Sequence, residues 1–184
     1  MDRIDPTKVI QQRLAAGLGL DKYTFIEQTF RKVNVSQDED FQRIFNGFYM
    51  VRRNAEWRDV YYRLFEEMKQ ATSAEFDAIL DEMYQLTGNV EASFSSKMLA
   101  TLRPEMPIWD KYVVQNLGLK VPTQNDPERL QKTKELYAEI VQWYAKFMKT
   151  ENAVQCLRKF DEVLPDYAWL SDIKKIDFYL WSIR

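Results

Sequence analysis

The sequence predicts an all-α fold, and three observations support this prediction. The chain has only 5 glycines in 184 residues. Apolar residues recur three and four positions apart along most of its length, which is the spacing of one helical face. No stretch has the pattern of a convincing β-strand. We therefore expect helices throughout and no sheet.

The composition predicts a soluble, globular protein. Hydrophobic residues make up 46% of the chain and charged residues 29%, which fits neither a disordered nor a membrane-spanning class. A length of 184 residues suits one domain with a sizeable core. The first twenty residues mix charged and apolar side chains, unlike a signal peptide. We expect a cytoplasmic protein without membrane contact.

The single cysteine, Cys156, and the absence of histidine restrict the chemistry. A disulfide within the chain, a Cys/His zinc site and an iron–sulfur cluster held by four thiolates are all excluded. The Ser-His-Asp and Cys-His arrangements are excluded as well. We expect no cofactor, no iron–sulfur cluster and no metal site. The net charge of −2 argues against a uniformly basic nucleic-acid binder but leaves room for a local basic patch.

Glycine pairs and polar caps predict the first two helices. Residues 7–19 are predicted to form a helix that ends at the Gly17/Gly19 pair. Asp21 or Thr24 is predicted to cap a second helix, which continues to about Val33.

The next three helices are predicted from caps and apolar stripes. Ser36-Gln37-Asp38-Glu39 has the pattern of a capping box, and Gly47 in the following helix is predicted to mark close packing. That helix is predicted to bury Phe41, Ile44, Phe45 and Phe48. The next stripe consists of Trp57, Val60, Tyr61, Leu64, Phe65 and Met68. Ser73 is predicted to cap a further helix that ends at Gly88. Its inner face consists of Phe76, Ile79, Leu80 and Met83.

The remaining helices are predicted from proline positions and caps. Helix starts are expected at residues 93–97 and 109–111, on either side of a turn at 104–107. Asp126 as N-cap and Pro127 at the first helical position predict a long helix. A shorter helix ends before Pro165, and a terminal helix follows. Its single buried stripe is predicted to be Trp169, Ile173, Ile176, Leu180 and Ile183.

Residues 107–119, PIWDKYVVQNLGL, resemble the aspartate-bearing segment of the helix-hairpin-helix DNA glycosylases, the endonuclease III-like superfamily. In that family a proline, an apolar residue and the catalytic aspartate precede a helix that ends Leu-Gly-Leu, and Asp110 falls on the aspartate. Upstream, Ser93-Phe94-Ser95-Ser96-Lys97 is similar to the family's hairpin, a Gly-apolar-Gly turn followed by a lysine. Lys97 falls on this lysine, which is the nucleophile in lyase-type members. Serines replace both hairpin glycines, and the segment between Lys97 and Asp110 is shorter than in the family.

The resemblance implies a single helical domain, residues 1–184, with helix-hairpin-helix glycosylase architecture. Its two lobes would comprise residues 20–90 and 91–184, with the N-terminal helix in the second. It further implies a DNA glycosylase that recognises or excises a damaged or unpaired base, with or without AP-lyase activity. Asp110 would act as electrostatic or general-base group and Lys97 as amine nucleophile. The implied DNA- and base-binding residues are Ser93, Ser95, Ser96, Trp109 and Tyr112.

Each of these residues also has a structural interpretation. Asp110 has the pattern of an ordinary N-cap, Lys97 that of a solvated lysine, and Trp109 that of a wedge between helices. The alternative hypothesis is therefore a non-catalytic helical relative that binds DNA or a protein partner. A cleft that joins the Lys97 amine and the Asp110 carboxylate would favour the enzyme, whereas burial of either group would favour the alternative.

Overall fold

The computed structural model describes residues 3–17, 19–71 and 74–183, which form ten α-helices and one short 3-10 helix. These residues contain no β-strand, so the predicted all-α class is confirmed. None of the helices they form combines the length and the apolar character needed to cross a membrane.

The helices follow one another along the chain, and the 3-10 helix, Pro165–Tyr167, lies between the last two. They are α1 (Pro6–Ala16), α2 (Leu20–Thr29), α3 (Glu39–Tyr49), α4 (Ala55–Met68), α5 (Phe76–Thr87), α6 (Ala92–Leu102), α7 (Lys111–Asn116), α8 (Arg129–Phe147), α9 (Glu151–Val163) and α10 (Asp172–Ser182).

The chain divides into two units. The middle unit is Gly19–Arg103, with α2 to α6. The terminal unit combines the residues up to 18 with those from 104 onward, and therefore contains α1 and α7 to α10. Helix α6 packs on α5 and belongs to the middle unit, whereas the expected lobe boundary at residues 90 and 91 lay before it.

The middle unit has an aromatic core formed by α3 and α4. The ring of Phe45 lies 5.7–6.0 Å, centroid to centroid, from those of Phe41, Tyr61, Tyr62 and Phe65. All five side chains are buried. The predicted stripe of α5 is confirmed, since all four of its residues are buried. Burial of this aromatic and aliphatic area is the main driving force for folding of the unit.

The start of α2 differs from the prediction. The residue before the helix is Gly19, with φ 68°, and not Asp21 or Thr24. Glycine adopts this left-handed conformation at little cost, so the chain can turn there without a side-chain cap. Both α1 and α2 end earlier than predicted, at Ala16 and at Thr29.

The capping-box prediction for α3 is wrong. The N-cap is Asp38, whose Oδ1 accepts a hydrogen bond of 2.7 Å from the Phe41 N–H. The Ser36 hydroxyl instead donates to Asn34 Oδ1 at 2.7 Å. The same Asn34 oxygen accepts from the Ser36 N–H at 3.0 Å, so a local turn holds Ser36 outside the helix.

Other predictions for the middle unit are partly correct. Ile44 and Phe48 of α3, which were predicted to be buried, are only half-buried. Gly47 is exposed, and no atom lies within 4 Å of the position that a Cβ would take, so the prediction of close packing there is wrong. Ser73, the predicted cap of α5, lies outside the described residues, and that helix begins at Phe76.

The terminal unit is organised around α10, which packs against α1, α7 and α9. All residues from 174 to 180 are buried, so the prediction of a single buried stripe is wrong. Trp169 precedes the helix and is exposed. Helix α8 begins at Arg129, two residues later than predicted, because the Asp126 carboxylate accepts from the Glu128 N–H and caps a preceding turn.

Candidate functional site

Asp110 lies in the terminal unit at the start of α7. Its Oδ1 accepts a hydrogen bond of 2.8 Å from the Tyr112 N–H, so Asp110 is the N-cap of the helix. After α7 the chain turns at Gly118, whose φ is 70°. The Leu119 N–H then donates to the Val114 carbonyl at 3.1 Å. The carboxylate of Asp110 is half-buried, and its Oδ2 makes no hydrogen bond to any described residue.

Side chains from α8 and α10, together with Ser171 just before α10, hold the backbone that leads to Asp110. Four hydrogen bonds hold it: Ser171 Oγ to Pro104 O at 2.5 Å, Lys174 Nζ to Met106 O at 3.2 Å, Tyr137 OH to Pro107 O at 2.9 Å, and Ile108 N to Asp177 Oδ1 at 3.4 Å. In the first three the side chain donates to a backbone carbonyl, and in the fourth the backbone N–H donates. A segment without regular structure is therefore fixed at four successive points.

Two of these side chains form a buried ion pair. Lys174 Nζ lies 2.8 Å from Asp177 Oδ2, and neither residue is more than 6% exposed. The Tyr144 hydroxyl donates to the other oxygen of Asp177 at 2.5 Å. Placing two charges in the core costs desolvation energy, which good geometry and further hydrogen bonds must offset.

The pKa values of this network follow from its burial. Burial raises the pKa of Asp177 above its ordinary value, although the Lys174 ammonium and the Tyr144 hydroxyl act in the opposite direction. Burial, followed by the negative charge of Asp177, raises the pKa of Tyr144 well above its ordinary value. Asp110 adds a smaller increase to the Tyr144 pKa, so its carboxylate lies within electrostatic range of this network.

The two aromatic residues predicted to contact a base differ in how deeply they are buried. Trp109 is 6% exposed and belongs to the core of the terminal unit, as the structural interpretation expected. Tyr112 is half-buried on α7, with the Lys111 ammonium 5.8 Å from its ring centroid. Of the two, Tyr112 has the larger surface for stacking on a base.

Lys97 lies in the middle unit, within α6, and is only 7% exposed. Its amine donates to Ser93 Oγ at 2.9 Å. It also lies 5.1 Å and 5.6 Å from the ring centroids of Phe94 and Tyr49, within the range of cation–π interaction. The interpretation of Lys97 as a solvated surface lysine is therefore wrong. The enclosed amine would have to leave these contacts to reach a sugar.

The predicted hairpin serines lie in the first turns of α6. The helix begins at Ala92, and the Ser95 N–H donates to the Glu91 carbonyl at 2.9 Å in a regular helical bond. Ser95 and Ser96 are fully buried, and Ser93 is half-buried. The Ser95 hydroxyl has no hydrogen-bond partner among the described residues. Buried side chains at these positions leave little surface for contact with DNA.

The residue at the N-cap of α6, Glu91, was missed in the sequence analysis. Its carboxylate is 5% exposed, lies 2.7 Å from the Arg53 guanidinium and accepts from Trp57 Nε1 at 3.1 Å. The guanidinium also lies 5.5 Å and 5.6 Å from the ring centroids of Trp57 and Phe94. A phosphate approaching this helix start would meet a carboxylate that is already paired with Arg53. The available signal was the position of Glu91 two residues before the hairpin-like segment.

Asp110 and Lys97 belong to different units, so neither unit contains both groups. No known protein family, curated protein or solved structure matches the chain. The resemblance to the glycosylases therefore stays a prediction from about thirty residues of sequence, 91–120.

Proposed function

We propose that this chain is a DNA glycosylase-like protein that recognises a damaged or unpaired base and acts on it through Asp110. The supporting observation is the way residues 104–108 are held by four hydrogen bonds directly before Asp110. Two of these bonds involve the buried ion pair of Lys174 and Asp177. Apolar side chains would fill the same space in the core at a lower cost in desolvation energy. Fixing a charged group in advance is what electrostatic and general-base catalysis require.

Asp110 has one oxygen available for this chemistry, because only Oδ1 is engaged by the Tyr112 N–H. In the proposed reaction the glycosidic bond breaks and the base departs with the bonding electron pair, taking up a proton from solvent. The negative carboxylate stabilises the positive charge that develops on the sugar. Water then adds to the sugar carbon and gives its proton to the carboxylate, which releases it to solvent.

The proposal assigns no nucleophilic role to Lys97. Its amine is hydrogen-bonded to Ser93 and enclosed by Tyr49 and Phe94. Schiff-base formation needs an amine that can reach the abasic sugar. We therefore expect base release without strand cleavage by a lyase step.

A non-catalytic helical relative that binds DNA or a protein is the second candidate. It is favoured by the burial of Lys97 and by the buried Glu91 carboxylate at the start of α6, where a phosphate-binding hairpin would carry no acidic group. In this case the scaffold would bind its partner through other surfaces, and Asp110 would serve only as a cap.

The variant that tests the proposal is Asp110→Asn. Asparagine caps a helix about as well as aspartate, so α7 should persist while the charge is lost. We expect the wild type to release a base from at least one of a panel of duplexes with damaged or mismatched bases. The variant should release it at least about 100-fold more slowly. Asp38→Asn makes the same change at the cap of α3 and should leave the rate unchanged.

Three further results would change the proposal. Salt-sensitive duplex binding without any base release would replace it with the non-catalytic DNA binder, and the absence of both would favour a protein partner. Borohydride trapping on abasic DNA tests the lyase step separately. A covalent adduct with the wild type that is lost in Lys97→Met would assign the nucleophilic role to Lys97 after all.

A further inference from the structure

An open surface pocket of about 680 Å³, called the cavity below, lies in the terminal unit between the start of α1 and one face of α9. Its volume falls in the range of about 300–1,000 Å³ that is typical of small-molecule sites. None of the residues around Asp110 lines it. Its polar lining includes Arg3, Thr7, Gln155 and Arg158.

The wall that carries Arg3 is fixed by its neighbour. The Ile4 N–H donates to Asn152 Oδ1 at 2.7 Å, and Asn152 Nδ2 donates to the Ile4 carbonyl at 2.9 Å. Ile4 is fully buried, and Asn152 belongs to α9. Arg3 then reaches over α9, where its Nη2 donates to Gln155 Oε1 at 3.4 Å. The backbone next to Arg3 is therefore held in place before a ligand binds, which lowers the entropic cost of binding.

The two arginines of the cavity have no carboxylate partner among the described residues. Arg3 bonds only to the neutral amide of Gln155, and Arg158 makes no hydrogen bond or ion pair within the described part of the chain. The two carboxylates in the lining have partners other than these arginines. Asp5 caps α1 through the Lys8 N–H at 3.1 Å, and Glu162 pairs with Lys159 at 2.9 Å. The positive charge of the guanidinium groups is therefore available to a ligand.

We propose that this cavity binds the phosphate group of a small molecule through Arg3 and Arg158. A guanidinium presents several N–H groups in a planar fork that matches phosphate oxygens. The Thr7 hydroxyl, which also lines the cavity and has no partner among the described residues, supplies a further donor. Asp5 and Glu162 in the same lining disfavour a polyanion such as a DNA strand. The cavity is larger than a phosphate ion, so it also accommodates the organic part of the ligand.

Calorimetric titration at low ionic strength tests this site, with inorganic phosphate and a nucleoside 5′-monophosphate as separate probes. We expect saturable binding of one equivalent, weakened at least about tenfold by Arg3→Gln and by Arg158→Gln. Lys149→Gln is the matched control, because it removes a positive charge from an exposed residue of the same unit outside the cavity. It should change the affinity by less than about twofold. Circular dichroism checks that each variant is folded.

The two probes distinguish the sources of the phosphate. Tighter binding of the mononucleotide assigns the rest of the cavity to the organic part, whereas equal affinity assigns the site to phosphate alone. The proposal is overturned if the folded wild type shows no saturable binding of either probe, or if Lys149→Gln and Arg158→Gln weaken binding equally. Neither result bears on Asp110, which lies outside the cavity.

Discussion

Asp177 accepts hydrogen bonds from three groups that differ in origin, the Lys174 ammonium, the Tyr144 hydroxyl and the Ile108 N–H. It therefore joins α8, α10 and the segment before Asp110. Because its carboxylate is enclosed, burial outweighs these donors and raises its pKa. The protonation state of Asp177 therefore affects the hydrogen bond that holds Ile108, just before Asp110.

This raised pKa predicts how stability depends on pH. Between the ordinary value of 3.8 and the native pKa, the native protein holds a proton that the unfolded chain has lost. The contribution of Asp177 to the free energy of unfolding is therefore largest at low pH and falls as pH rises through this window. Asp177→Asn removes the titration, so the wild type should lose stability relative to the variant as pH rises above about 4.

Urea denaturation at several pH values measures this difference. Tyr144→Phe is a useful control, since it removes one donor to Asp177 and keeps the carboxylate. The prediction would be contradicted if the wild type gained stability relative to Asp177→Asn as pH rises. It would mean that Lys174 and Tyr144 stabilise the ionised form more than burial disfavours it.

At the scale of elements, one asparagine ties the chain before α1 to α9. Asn152 satisfies both the N–H and the carbonyl of Ile4, which is fully buried. Buried backbone groups without partners are costly, so this double hydrogen bond fixes where α1 starts. The same contact holds one wall of the cavity that contains Arg3.

Asn152→Ala should therefore lower the free energy of unfolding by about 2–3 kcal/mol, because two buried backbone groups lose their partners. Amide hydrogen exchange at Ile4 should accelerate, and phosphate binding in the cavity should weaken. Gln155→Ala, one turn further along α9, removes a side chain whose hydrogen bonds are exposed. It should change stability by less than about 0.5 kcal/mol. Equal stability of the wild type and Asn152→Ala would show that α1 docks without this contact.

At the scale of the whole molecule, buried tyrosines occur in both units. Their hydroxyls lie in the core, and burial is the largest cause of a raised pKa in each of Tyr61, Tyr62, Tyr144 and Tyr179. Two of them belong to the middle unit and two to the terminal unit. Both units should therefore respond to alkaline pH in the same direction.

These tyrosines predict alkaline unfolding. Below the ordinary pKa of 10.0 they are neutral in both states, whereas above it they ionise only in the unfolded chain. The free energy of unfolding therefore falls as pH rises above about 10. In a spectrophotometric titration, at least four of the 10 tyrosines should ionise only when the protein unfolds. The chain in urea should instead titrate near pH 10 in a single step. Titration of all tyrosines near pH 10 in the folded protein would contradict the prediction.

The sequence predicted most of the helices, because their signals are local. The apolar stripe of α5 and the Asp110 cap of α7 depend on residues within one or two turns. The prediction failed where two local signals competed, as Ser36 and Asp38 do at the start of α3. It also failed at α10, whose burial depends on three other helices.

The candidate site shows the same division. Local sequence by itself determined the helical class and selected Asp110 and Lys97 as the residues to consider. Only the tertiary structure enclosed Lys97 between aromatic rings and placed the Glu91 carboxylate against Arg53. Lys174 and Asp177 are three residues apart on a helix, a spacing that predicts a solvated pair. Their burial, and the contact with Tyr144 that lies 33 positions away, exist only because α8 and the elements around α10 exclude water from that helix.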